Sequence, residues 1–463
     1  MERRPGATMA ARPPATALVP VEALPVSVRC LFPYRQFNAM QSQCVDTAYV
    51  RGCPFVLSAP TGSGKTAVLE LCLARLWASE AGRTSRTAAV YIAPLKALTA
   101  ERVADWRAKL SGSSGLQIEI CELTGDNSQD DAAESADLII TTQEKWDAFT
   151  RFRRSAHGVM GRVGLCMIDE IHLLDDDERG PTLEAIVARM KLHARDPSAE
   201  GQPIAALRLV GISATISNVV DIADWFGPDC AVLTFGPEYR PVPLTWHVLT
   251  FPMKITWRFD DELKSHVFAL VRRHCNSRPS LVFCNSRANT SKTAVEVARQ
   301  AGGQLVANSA HQHALGRAAT DAIDSSLAQM LRCGVGFHHA GLDAQDKRLV
   351  EGLFAAGELP ILVATSGLAM GVNLPAHLVV LCNTCKYSSS SAGLVEYSRM
   401  EVLQMAGRAG RPQFDSSGTC IVMCRPEMGA WSPPPPLLCT HVSRIPTPRS
   451  PSAPVQASTT GRS

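Results

Sequence analysis

A chain of 463 residues with 46% hydrophobic content can bury a large core, and its length favours two or three domains over one. The formal net charge of +3 removes any global electrostatic case for a polyanionic partner, so such a partner must be held by a local patch. Apolar runs such as HLVVLC from His377 are far too short to cross a bilayer, and no run near the start has the apolar core of a signal peptide. These features point to a soluble intracellular chain.

Residues 1–29 are arginine-bearing and poor in acids, like a transit peptide, but their prolines spoil an amphipathic helix. A disordered leader is the expectation. From residue 30 onward short apolar runs alternate with helical patterns. FVLSA, AAVYIA, DLIITT, GLCMID and RLVGIS are each followed by polar or amphipathic sequence, and the rhythm resumes with SLVFC, ILVAT and HLVVLC. Continuous apolar strands separated by helices predict parallel sheets covered on both faces. The rhythm pauses between about Phe235 and Pro279, which predicts a boundary near residue 250. The expected division is 1–29 leader, 30–250 first lobe, 251–425 second lobe, and 426–463 a disordered proline- and serine-rich tail.

The fifteen cysteines sit mostly as single residues in apolar runs, such as Cys166 and Cys284, which reads as reduced buried thiols. Cys382 and Cys385 have metal-like spacing that Cys420 and Cys424 could complete, but the latter two lie on an apolar strand candidate and no histidine accompanies them.

The first chemical motif is APTGSGKT, residues 59–66, between the strand FVLS and the helix TAVLELCLARL. Its glycines let backbone N–H groups wrap a phosphate chain, the helix N-terminus adds its dipole, Lys65 supplies a point charge and Thr66 can ligate Mg²⁺. Ala59 replaces the usual first glycine of such a P-loop. A second carboxylate site follows in MIDEIHLL, where Asp169 and Glu170 leave the end of a strand. Asp169 is expected to hold Mg²⁺ through its water shell, and Glu170 to polarise the attacking water. In QMAGRAGR, Arg408 and Arg411 can place positive charge around a migrating phosphoryl group, with Gln404 one helical turn earlier. Standing alone, that motif would read as a surface helix end with solvated arginines.

Taken in order, APTGSGKT, APLKAL, DEIH, SAT from Ser213, TSGLAMGVNLPA from Thr365 and QMAGRAGRPQFD resemble motifs I, Ia, II, III, V and VI of superfamily 2 helicases. RGPTLE from Arg179 and FHHAGL from Phe337 narrow the resemblance to the Ski2-like group. FNAMQSQ, KYSSSSAGLVEYS and LQMAGRAGRPQFD are most similar to the meiotic crossover-promoting DNA helicases, with the spliceosomal and ASC-complex helicases as near neighbours. The resemblance covers roughly residues 31–423 and implies an α/β fold of two tandem RecA-like P-loop lobes with disordered termini.

The resemblance further implies ATP and Mg²⁺ as cofactors, a nuclear location, and single-stranded or tailed DNA as partner with 3′ to 5′ polarity. ATP would be bound by Pro60, Thr61, Gly62, Ser63, Gly64, Lys65 and Thr66, with Gln41 reading adenine and Phe37 as its stacking partner. The nucleic-acid track would comprise Pro94, Lys96, Thr124, Gly125, Thr142, Arg179 and Thr365, all contacting backbone. Gln143 departs from the family's proline at that position. The family has a strand-parting hairpin where this chain carries CNTCKYSSSSAGLVEYS, Cys382 to Ser398, and it continues beyond motif VI into a winged helix and a ratchet bundle. Neither domain is legible after Cys424, so two readings stay open: an active DNA-dependent ATPase and helicase, or a fragment with ATPase but no processive unwinding. An RNA-acting or repair-type relative is a further alternative.

Overall fold

The computed structural model describes residues 17–78, 87–110, 118–125, 131–152, 156–216, 218–252, 256–372, 374–388, 393–412, 414–425 and 441–444. The chain divides into two compact units. The first comprises the chain up to Pro243 together with Gly367–Pro375 and Ser398–Ser416, and the second comprises Leu244–Ser366, Ala376–Tyr397 and the chain from Ser417.

In the first unit, strands β1 (Phe55–Ser58), β2 (Ala88–Ala93), β3 (Ile120–Leu123), β4 (Leu138–Thr142), β5 (Val163–Ile168), β6 (Arg208–Ser213) and β7 (Ala231–Thr234) form one sheet. Its order is β3-β4-β2-β5-β6-β1-β7, and every neighbouring pair is parallel. Successive side chains of a strand point to opposite faces, so a sheet covered on both sides needs unbroken apolar runs. Phe55 and Leu57 of β1 pack with Ala89, Tyr91, Leu138 and Ile140 in one cluster. Val56, Val90, Ile92 and Ile139 pack in another. The helix Lys65–Ala78 is apolar nearly all round because it lies inside the first cluster, burying Val68, Leu69, Leu71, Cys72 and Leu73 completely or almost so.

The second unit repeats the scheme with β8 (Leu244–Thr250), β9 (Ser280–Cys284), β10 (Val335–His338), β11 (Ile361–Thr365), β12 (Leu378–Cys382), β15 (Gly418–Cys424) and β16 (His441–Arg444). The order is β10-β11-β9-β12-β15-β8-β16, again all parallel. Strands β13 (Cys385–Ser388) and β14 (Gly393–Glu396) form a separate antiparallel pair, so the expected hairpin is present, while its tip, 389–392, lies outside the described residues.

Several expectations need correction. The leader is ordered from residue 17: Val21, Leu24, Val28 and Leu31 sit in the core of the first unit, on short 3-10 turns started by Pro20 and Pro25. The prolines forbid a long amphipathic helix but not these turns; residues 1–16 lie outside the described residues. The sequence pause hides β8, whose run LTWHVLT opens the second unit, so the boundary falls at Pro243/Leu244 rather than 250/251. Motifs V and VI lie within the expected second lobe in sequence, yet Gly367–Pro375 and Ser398–Ser416 cluster with the first unit. In the tail, His441–Arg444 pairs with β8, while 426–440 and 445–463 are outside the described residues. Among the described residues no cysteine is joined in a disulfide, and Cys382, Cys420 and Cys424 are buried in strands.

Candidate active site

Strands β5, β6 and β1 are neighbours, so the loops leaving their carboxyl ends converge; ligands of open parallel sheets collect at such an edge. The loop after β1 is the P-loop, Asp169 and Glu170 follow β5, and Ser213 ends β6. The P-loop, Asp169, Glu170 and Ile212 of β6 border a cleft of about 340 Å³ in the first unit, together with Arg240, Gln404, Gly407 and Arg408.

The P-loop is held from behind. Asn38 and Gln41 close a capping box on the helix Ala39–Val45, and the same two side chains donate to loop carbonyls, Asn38 Nδ2 to Ser63 O at 2.9 Å and Gln41 Nε2 to Gly64 O at 3.1 Å. Ser63 Oγ donates to Pro60 O at 2.8 Å, and Lys65 Nζ donates to Ala59 O at 3.0 Å and Pro60 O at 3.3 Å. With those carbonyls satisfied, the loop offers N–H groups and a helix N-terminus to a ligand, which is what an anion requires. Gly62 and Gly64 have φ of 79° and 87°, and a Cβ on Gly64 would lie 2.4 Å from Gln41 Nε2, so both conformation and space demand glycine there. Burial pushes the Lys65 ammonium pKa down, opposed by Glu170 and Asp169. An anionic ligand would reverse that cost.

Asp169 is fixed by two donors: Tyr91 Oη at 2.6 Å to Oδ2 and its neighbour's Glu170 N–H at 2.9 Å to Oδ1. Burial and the adjacent Glu170 carboxylate raise its pKa. Two neighbouring carboxylates and a P-loop threonine are a donor set that suits a hard divalent cation, and Thr66, Asp169 and Glu170 line the same cleft. Glu170 has left-handed backbone, φ 51° and ψ 49°, which is rare for a residue with a side chain and is found at functional sites. Its Oε2 is buried without a hydrogen-bond partner. His172 Nδ1 lies 3.3 Å away, but burial first and Lys65 second depress the His172 pKa to about 4, so the two do not form an ion pair at neutral pH. Glu170 Oε2 therefore remains an acceptor suited to a water molecule.

The two arginines of motif VI separate. Arg408 lines the cleft, its Nε donating to Ala369 O at 3.1 Å, and burial lowers its pKa against the pull of Glu170. Arg411 instead makes two bonds of 3.1 Å to the carboxylate of Asp415, a residue with no side-chain exposure, and stacks its cation on Phe414. The expectation that both arginines face one anion is thus corrected for Arg411, and of the two only Arg408 lines the cleft. Gln404 reaches motif II: its Nε2 donates to His172 Nε2 at 3.1 Å. Phe37 is also corrected as an adenine partner, because its ring is wholly buried between the edges of Phe32 and Tyr34. Sequence reasoning missed Tyr91, which reads as one more apolar strand residue, and Arg240, whose only signal is an arginine held between Tyr239 and Pro241.

The other half of the same sheet edge carries most of the remaining expected residues. Pro94 and Lys96 follow β2, Thr124 and Gly125 follow β3, and Thr142 ends β4, and these three strands are adjacent. Lys96 Nζ lies 3.4 Å from where a Gly125 Cβ would be, and Arg179 Nε lies 3.9 Å from Glu144, two residues after Thr142. Thr365 ends β11 in the second unit and is described there alone. Gln143, with 1% exposure, opens the helix Gln143–Phe152 where proline was expected.

Comparison with known proteins agrees with this geometry. Residues 38–222 match the DEAD/DEAH box helicase family and residues 265–413 match the helicase conserved C-terminal domain. The chain is 40% identical over 432 residues to the ATP-dependent DNA helicase MER3 homolog of Oryza sativa subsp. japonica, covering 89% of this chain and 35% of that protein. It is 41% identical over 421 residues to the probable ATP-dependent DNA helicase HFM1 of Mus musculus, covering 88% and 29%. It is 39% identical over 424 residues to activating signal cointegrator 1 complex subunit 3 of Danio rerio, covering 89% and 27%. The chain spans about a third of the length of these curated relatives or less. The two matches together cover well over half of its residues, and the chain belongs to the DEAD/DEAH box helicases that carry the helicase conserved C-terminal domain.

Proposed function

We propose that this chain is the motor core of an ATP-dependent DNA helicase that couples hydrolysis to movement along single-stranded DNA, in a nuclear role in meiotic recombination. The observation that carries the ATPase half is the convergence of Lys65, Asp169, Glu170 and Arg408 on one cleft. The P-loop N–H groups, Thr61 to Thr66, bind the triphosphate, and Lys65 exchanges its two carbonyl contacts for the β and γ phosphates. Thr66 and Asp169 would hold Mg²⁺, which would supply positive charge to the phosphates. Glu170 accepts a hydrogen bond from the attacking water through its unpartnered Oε2. Arg408 adds positive charge where the phosphoryl group moves, and Gln404 reports on it through His172. Gln41, whose Nε2 donates to Gly64 O, is assigned to adenine by the family resemblance.

The DNA half is supported by the cluster of Lys96, Thr124, Gly125 and Thr142 beside that cleft on the same sheet edge, with Arg179 next to it. These groups suit phosphate and sugar, and carry little sequence information. The meiotic role is supported by similarity to the HFM1 and MER3 proteins; similarity to the cointegrator subunit is nearly as high. The test is steady-state ATP hydrolysis with single-stranded DNA, single-stranded RNA or neither. Stimulation by DNA above RNA is the expected result, and turnover stimulated only by RNA would overturn the DNA assignment.

A further inference from the structure

Arg240 stands between β7 and β8, in a loop that no motif of hydrolysis uses. Its side chain is fixed at the root, where Nε donates to Val242 O at 2.8 Å. The rest of the fork reaches two other segments of the first unit. Nη1 donates to Thr61 O of the P-loop at 3.4 Å, and Nη2 donates to Gly407 O at 3.0 Å and to Ala409 O. Gly407 and Ala409 are the residues on either side of Arg408. Beneath the fork the two segments touch: a Cβ on Gly407 would lie 2.7 Å from Thr61 Cβ, closer than real side chains approach.

A guanidinium that donates to the carbonyls of Gly407 and Ala409 fixes the peptide plane that leads into Arg408 and the plane one residue beyond it, and so restrains the backbone from which the Arg408 side chain starts. We infer that Arg240 is a positioning residue for Arg408, clasping the P-loop turn at Thr61 to the backbone around Arg408 and thereby setting where the Arg408 cation stands over the bound triphosphate. The inference rests on the reading of the cleft as a site of ATP hydrolysis. Arg240 acts through Arg408, so its removal costs turnover and spares nucleotide affinity, which the P-loop N–H groups and Lys65 supply. A planar fork with several donors is needed to serve the four carbonyls from one side chain; an ammonium is a poor substitute.

The experiment measures, on the full chain with saturating single-stranded DNA, kcat and KM for ATP, the Kd of a fluorescent ATP analogue, and Tm. Arg240→Ala is expected to lower kcat about 10- to 100-fold, the range for a catalytic group displaced by about an ångström, with Kd within about 3-fold of wild type. Gly407→Ala, which forces apart the contact that the fork clasps, is expected to give the same split, and the double variant to lose far less than the product of the two. Should Arg240→Ala fail to fold, Arg240→Lys decides: a folded variant with kcat reduced and Kd unchanged supports the role, and wild-type kcat overturns it. Parallel loss of affinity and turnover in the variants, or no loss, also overturns it. A wild-type chain without ATP hydrolysis sinks the ATPase reading and this inference with it, whereas wild-type turnover left intact in Arg240→Ala sinks this inference alone.

Discussion

Gln404 donates its side-chain N–H to His172 Nε2 at 3.1 Å, and across the ring His172 Nδ1 lies 3.1 Å from Ser213 Oγ. One imidazole thus joins the segment that carries Arg408 to the ends of β5 and β6. Because Gln404 Nε2 can only donate, His172 Nε2 accepts and Nδ1 carries the proton. The ring serves this position only while neutral.

That requirement sets a pH dependence. Burial holds the His172 pKa near 4 against an ordinary 6.5, so between those values the unfolded chain binds a proton that the folded chain refuses. Stability contributed by the neutral ring is complete above about pH 6.5 and is lost as pH falls toward 4. From pH 7 to pH 5 the loss is about 2 kcal/mol. Denaturant unfolding at the two pH values should show this component in the wild type and not in His172→Gln.

Lys65→Ala should abolish binding of ATP at useful concentrations, because the ammonium is the charge that meets the β and γ phosphates. Glu170→Gln should bind ATP and fail to hydrolyse it. Separate measurement of nucleotide Kd and single-turnover hydrolysis checks both; equal loss of binding in the two variants would contradict the assigned roles.

The two motif VI arginines should give different phenotypes. Arg408→Ala should keep nucleotide binding and lose turnover by about 10³-fold or more. Arg411→Ala leaves the buried Asp415 carboxylate without its bidentate partner and should cost about 3 kcal/mol of stability, with any activity loss following the unfolded fraction. Thermal unfolding alongside kcat distinguishes them, and near-normal turnover in Arg408→Ala would return it to the solvated-helix reading.

In the second unit, Asn383 has left-handed backbone, φ 99°, at the root of the β13–β14 hairpin. Its Nδ2 donates to Asp260 at 2.8 Å, and its Oδ1 accepts from Thr384 N at 2.8 Å and Cys385 N at 3.2 Å. Asn383→Ala loses these bonds and strains the backbone, and should destabilise the chain by about 2–3 kcal/mol. Asn383→Gly keeps the conformation, so it should destabilise less; calorimetry of the pair separates strain from hydrogen bonding.

Binding of single-stranded DNA should weaken steeply with salt, since its contacts are to phosphate. Lys96→Ala should lower affinity on every sequence alike and reduce the slope of log Kd against log salt by about 0.7, the value for one phosphate contact on a single strand. An unchanged slope would remove Lys96 from the track.

The sequence by itself determined whatever depends on a strand and the few residues that follow it. β1 and the P-loop, β5 with Asp169 and Glu170, and the capping pair Asn38 and Gln41 are contiguous patterns whose side chains meet through local geometry, and continuous apolar runs can only be strands covered on both faces. Tertiary structure decided what depends on packing between distant segments. It turned Arg408 into the cleft against Ala369, 39 residues away, whereas Arg411, which looks equivalent in GRAGR, pairs locally with Asp415 four residues on. It closed Phe37 inside the core, seated Val21 and Val28 there despite the prolines around them, and brought Tyr91 to Asp169 and Arg240 to Gly407. A hydrogen bond across 78 or 167 residues leaves no periodicity in the chain; it exists because two sheet edges or loops are held within reach by a core that neither residue helps to encode.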